Sequence, residues 1–135
     1  YIDRAKLEPR AGLMAAYDAD VFLSSANAIT DDGIMVNIDG NSNRVSCIAQ
    51  GPKKVIFIVG MNKVCDDLDS AMKRARNVAA PINAQRFEVK TPCKETGKCF
   101  DCKSPDTICC QFLITRYSRH TGRIHVLLVN DNLGF

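Results

Sequence analysis

"KKVIFIVGMNKVCDDLDSAMKRARNVAAP", residues 53–81, decides the fold class. Its opening holds an unbroken apolar run from Val55 to Val59. Such a run predicts a strand over 53–60 covered on both faces, as the central strands of parallel sheets are. From 62 to 80 the period changes. Val64, Leu68, Ala71, Met72, Ala75 and Val78 recur at helical spacing and predict the chain's longest helix, with Lys73, Arg74 and Arg76 on its solvated face. Asp66, Asp67 and Asp69 near its start, and the basic residues near its end, complement the helix dipole. Pro81 marks its end or a kink. A strand running into an amphipathic helix is the building unit of an α/β fold.

Upstream, "RAGLMAAYDA" after Pro9 predicts a short helix, and Val21 to Leu23 a short buried strand. "AITDDGIMVNI" predicts a hairpin turning at Asp32-Gly33. "NRVSCIAQG" predicts a helix capped by Asn or Ser and stopped by Gly51. Downstream, "CQFLITRYS" and "GRIHVLLVN" predict two strands, the second interior over 124–129. Strands alternating with helices predict a three-layer α/β sandwich in one domain, residues 1–135, with a cysteine-rich loop at 90–110.

The 135 residues carry 46% hydrophobic and 24% charged side chains, which is globular composition. A net charge of +3, with no basic stripe interleaved with aromatics, argues against nucleic acid. No apolar run approaches a membrane span and no signal-peptide pattern opens the chain. The clustering of cysteine in one segment points to a reducing, cytoplasmic setting rather than a secreted disulfide scaffold.

That segment, "TPCKETGKCFDCKSPDTICC" (residues 91–110), holds five of the seven cysteines. Cys99-x2-Cys102 lets two thiolates bind one ion from a tight turn, and Cys93 and Cys109 flank them at distances a loop can close. Four sulfur ligands suit zinc or an iron–sulfur cluster. Lys94, Lys98 and Lys103 would offset the thiolate charge. Cys110 is an alternative to Cys109, but adjacent strand residues face opposite ways. Disulfides or uncommitted thiols remain the other readings of the same spacing. Cys47 and Cys65 read as buried hydrophobes.

A second candidate is "NIDGNSNR", residues 37–44, a polar loop entering a helix N-terminus. Asn37, Asp39, Gly40, Asn41, Asn43 and Arg44, with Asn27 nearby, would bind an anion at the carboxyl end of the sheet. A capped turn without a ligand accounts for the same residues. No GxGxxG or Walker loop supports a nucleotide site. His120 and His125 have no triad partners in sequence and read as structural.

"DVFLSSANAITDDGIMVNIDGNSNRVSCIAQGPKKVIFIVGMNKV", "NVAAPINAQR", "KTPCKETGKCFDCKSPDTIC" and the closing "NDNLGF" together resemble the lactate utilisation (LUD) domain family, most closely its stand-alone members. The resemblance begins at about Asp20. It implies a Rossmann-like fold shared with sugar-phosphate isomerases and CoA transferases. It also implies a chain lacking the family's N-terminal portion, and a role in oxidising lactate to pyruvate beside iron–sulfur subunits. A redox protein and an anionic small molecule are the implied partners, and a homo-oligomer is compatible with either. The turn at Asp31 and Asp32 is weakly similar to the one where CoA transferases place a catalytic carboxylate, although a plain hairpin turn explains it as simply. The second functional reading is a sugar-phosphate or CoA-type anion-binding or group-transfer domain, with the cysteine loop as a structural zinc knot.

Overall fold

A computed structural model describes residues 2–3 and 6–135. The chain runs through α1 (Pro9–Tyr17), β1 (Val21–Ser24), β2 (Ala28–Thr30), β3 (Met35–Asp39), α2 (Asn43–Ala49) and β4 (Lys54–Gly60). A 3-10 turn, Met61–Lys63, leads into β5 (Val64–Cys65) and then α3 (Leu68–Arg74). A π-helical segment, Ala75–Ala79, joins α3 to α4 (Ala80–Ala84). After it come α5 (Pro92–Thr96), β6 (Gln111–Thr115) and β7 (Ile124–Val129).

Two sheets form. The first is parallel, in the order β1-β4-β7, and the second is mixed, in the order β5-β2-β3-β6. Alternation along β3 explains how three layers arise. Met35 faces the first sheet and packs with Ile29, Val55, Phe57 and Val59. Its neighbours Val36 and Ile38 face the other way, onto Ala71, Ala75 and Ala80 of the long helix. The mixed sheet is therefore the middle layer, with the parallel sheet on one side and the helix on the other, although Phe112 and Ile114 of its edge strand β6 stay exposed. This is the α/β class that residues 53–81 predicted.

Several expectations need correction. β4 is central, but only one of its faces is covered. Val55, Phe57 and Val59 are fully buried while Ile58 is 40% exposed. β7 is an edge strand of the parallel sheet, with Val126, Leu127 and Leu128 exposed, and not an interior one. β1 is likewise an edge strand, with Val21 and Leu23 exposed. The cause is that the amphipathic helix packs on the mixed sheet. It leaves one face of the parallel sheet open among the described residues.

The helix itself starts later than predicted and passes through Pro81. Val64 and Cys65 are strand residues, paired in parallel with Ile29 and Thr30. Asp67 caps the helix by accepting from the Ser70 N–H at 2.7 Å. Just before Pro81 the Ala80 N–H donates to Ala75 O, five residues back. That one-residue slip widens the helix where the proline ring would crowd the preceding turn. It also rotates the buried stripe, so Ala79 is buried and Val78 is turned out. The hairpin turns where expected, with Gly33 at φ +92°. α2 is capped by neither Asn nor Ser side chains; Asp39 accepts from the N–H groups of Arg44 and Val45. No helix among the described residues is long and apolar enough to cross a membrane.

Candidate functional site

The register aligns the carboxyl ends of the parallel strands, with Gly60 of β4 beside Val129 of β7 and Ser24 of β1 beside Phe57. Three segments leave those ends together: Ser25–Asn27, Met61–Lys63 and the C-terminal stretch. Gly60 permits this crowding. A Cβ there would meet Asn62 Oδ1 and Leu133 N, each at 2.5 Å. The Asn62 side chain then ties the C-terminal stretch down, accepting from the Leu133 N–H at 3.2 Å and donating to Gly134 O at 3.1 Å. With the end of β3 these segments enclose a cleft of about 700 Å³.

Six of the seven anticipated ligand-binding residues line this cleft: Asn27, Asp39, Gly40, Asn41, Asn43 and Arg44. Asn37 does not. It is fully buried, its Nδ2 donates to Ser25 O at 3.0 Å, and its Oδ1 has no hydrogen-bond partner among the described residues. Asp39 is committed to structure, since its carboxylate also accepts from the Asn41 N–H at 3.1 Å. Arg44 donates to Asn27 Oδ1 at 3.0 Å and to Ile38 O at 2.7 Å. Burial lowers its pKa, with Asp39 opposing that shift.

Sequence reasoning missed the cations in and around the cleft. Lys63 is only 4% exposed, and its Nζ donates to Ser25 Oγ at 3.0 Å. Among the described residues it forms no ion pair. Burial pushes its pKa down, and the nearby Arg74 and Arg44 guanidinium groups push the same way. Arg74, predicted to be solvated, does not line the cleft but turns inward to the carbonyls of Asn62 and Asn27 at 2.9 and 2.5 Å. Arg86 borders the cleft with its guanidinium 6.0 Å from the Phe87 ring and 5.9 Å from the Phe135 ring. The one available signal was position: Lys63 follows closely on the carboxyl end of the clearest strand, where α/β sheets place ligands.

A second cavity, of about 390 Å³, lies beside the first and shares Ile108 as a wall. Cys93, Cys99, Cys102 and Cys109 all line it, and Cys110 borders it as well. No disulfide links any of the seven cysteines, all of which are described. Burial, followed by the neighbouring Cys93, Cys99 and Cys102, pushes the Cys109 thiol up to about 11. The expectation that four sulfurs would gather within reach of one ion is corrected. Among the described residues no three His, Cys, Asp or Glu side chains are placed to hold a single metal ion. The loop is fastened by polar contacts of its own. The Arg76–Asp101 ion pair spans 2.6 Å, the Lys90 N–H donates to Asp106 at 3.0 Å, and the Cys110 N–H donates to Asp39 O at 3.0 Å. Arg76, also predicted to be solvated, is thus a component of this cavity.

Asp31 and Asp32 sit in the exposed hairpin turn, at the opposite end of β2 and β3 from the cleft. The Asp32 carboxylate accepts from Thr30 Oγ1. His125 contacts Gly122 O at 2.8 Å, and Cys47 is fully buried. No curated protein and no solved structure matched the chain. The LUD domain profile matches residues 6–129, well beyond the Asp20 start that the sequence motifs suggested. A match of that extent, over a chain whose cleft and cysteine segment carry the quoted motifs, settles the family: this protein belongs to the LUD domain family.

Proposed function

We propose that this domain binds a small carboxylate of the lactate class, an α-hydroxy or α-keto acid, in the cleft at the carboxyl ends of the parallel strands, and that it serves lactate utilisation. One observation carries the reading. Lys63 is a buried cation with a hydroxyl partner and no carboxylate partner among the described residues, and Arg44 and Arg74 lie close enough to depress its pKa. A protein gains nothing in stability from such an arrangement, because burying an uncompensated charge is costly. An anionic ligand would supply the missing charge. Asn27 lines the cleft as well; with its Oδ1 taken by the Ile38 N–H and by Arg44, its Nδ2 can donate to a substrate hydroxyl or carbonyl.

Oxidising an α-hydroxy acid removes a hydride equivalent and a proton, so a role in that chemistry calls for an electron acceptor. We assign it to a redox protein partner, with the cysteine loop as the metal-holding element of this chain. Asp39 is not offered as a general base, since its carboxylate is occupied by three backbone N–H groups.

The size of the cleft favours a second reading, a sugar-phosphate or CoA-type anion whose body reaches Phe87 and Phe135. Calorimetric titration with L-lactate, D-lactate, pyruvate, a sugar phosphate and coenzyme A decides between them. Binding of lactate or pyruvate, weakening as salt is raised, is the expected result. Binding of only the phosphorylated compounds would move the assignment to the second reading. Silence across the panel would remove the ligand role from the cleft.

A further inference from the structure

The cysteine cavity admits a more specific assignment, which rests on the reading of that loop as metal-holding. A single zinc ion needs four sulfurs about 2.3 Å from one centre. The four cysteines instead face a shared space of about 390 Å³, and no three of them are placed around one ion. Four cysteines lining one cavity, with no three placed around a single ion, suit a group with volume of its own.

We propose that this cavity takes an iron–sulfur cluster, held by Cys93, Cys99, Cys102 and Cys109, in preference to a single zinc ion. The four come from three places: Cys93 from α5, Cys99 and Cys102 from the following loop, and Cys109 from the segment entering β6. They can therefore approach a cluster from several sides. A cluster bearing four thiolates is anionic, and cations stand ready for it. Arg76 Nη2 is 3.8 Å from Cys99 Sγ, and Lys103 lines the same cavity. The Asp101 N–H donates to Cys99 Sγ at 3.4 Å, the kind of contact that stabilises cluster-bound sulfur. Pro81, Phe100, Ile108 and Phe112 supply apolar wall to the cavity, Phe100 and Phe112 from exposed positions. Cys110 is the poorer ligand: it is exposed, and its thiol donates to Thr107 O at 3.5 Å.

The test is reconstitution of the whole chain under anaerobic conditions with ferrous iron and sulfide. Iron and acid-labile sulfide should be retained in equal amounts, with the visible absorption of a cluster. Alkylation followed by mass spectrometry should then show Cys93, Cys99, Cys102 and Cys109 protected, while Cys110 reacts. C99S and C102S should lose the absorption, and C110S and C65S should keep it. If either ligand variant fails to fold, the protection pattern of the unmodified chain still decides. One tightly held zinc per chain with no sulfide, iron retained undiminished by C99S, or no metal retained at all would each overturn the cluster. L-lactate titration of the same samples keeps the two assignments apart. A cluster without lactate binding sinks the cleft reading alone, and lactate binding without a cluster sinks this one alone.

Discussion

Lys63→Met separates a ligand-binding lysine from a structural one, because the two roles predict opposite changes in stability. Methionine keeps the length and apolar stem of the side chain and removes its charge. In the unliganded protein the change deletes the bond to Ser25 Oγ at 3.0 Å, worth about 0.5–1.5 kcal/mol. Against that loss it relieves a desolvated cation that sits near Arg44 and Arg74, whose positive charges oppose its own. The expected net effect is an unchanged or raised melting temperature. An anion seated on Lys63 would lose one charge-assisted hydrogen bond, about 1.5–3 kcal/mol, which weakens binding by roughly 10- to 100-fold. Calorimetric titration with L-lactate and pyruvate reads the affinity, and scanning calorimetry reads the stability. Lys53→Met is the control, since that exposed lysine pairs with Asp20 at 2.9 Å at the opposite end of β4. It should leave affinity unchanged. The reasoning fails if Lys63→Met binds as well as the parent chain. It fails equally if melting drops by about 10 °C or more, the cost of breaking a buried structural contact of ~3–5 kcal/mol in a domain of this size.

Raising the pH of the metal-free protein tests the environment of Cys109. Its thiol ordinarily ionises near 9.0 but is pushed up to about 11 in the fold. Between those values the native state keeps a proton that the unfolded state has released, so stability should fall as pH rises through the window, and Cys109→Ala should flatten that part of a urea-midpoint profile. Lys63 should act with the opposite sign. Its pKa is lowered in the fold, so between that lowered value and the ordinary 10.5 stability should rise with pH, a rise that Lys63→Met should remove. Gly40→Ala would place a Cβ 3.3 Å from the Ile108 Cα, on the wall between the two cavities. Its stability should change by no more than about 1 kcal/mol, because the crowding is offset by lost unfolded-state entropy. Both lactate affinity and thiol reactivity should shift, and a change in neither would disprove the shared wall. Asp67→Ala should cost about 1 kcal/mol and a few degrees of melting temperature, through loss of the helix cap alone.

What the sequence made legible follows the range of the interactions involved. The run Val55 to Val59 and the alanine-rich helix after it carry their information within one turn or one strand, and both elements formed. Which layer the helix would cover is a long-range matter. Val36 and Ile38 on one side of β3 compete for it with the open face of β4, and no local pattern records the outcome. That is why β7, apolar at Val126 through Leu128, reads as interior and yet lies at an edge. Pro81 illustrates the same limit inside a single helix. Proline chemistry predicts a stop or a kink, the buried stripe of Ala71, Ala75, Ala79 and Ala80 rewards continuing, and the π segment satisfies both. The cleft divides along the same line. The polar loop from Asp39 to Arg44 announces itself by composition, whereas Lys63 and Arg74 are ordinary surface residues by every local measure. Lys63 becomes a buried cation, and Arg74 a half-buried one, only once β1, β4 and the helix converge, and burial is what turns Lys63 from a solubilising charge into a group that needs an anion. A binding site built from charge without a counter-charge is thus written in the tertiary contacts, and the carboxyl end of the parallel sheet is where physical reasoning says to look for it.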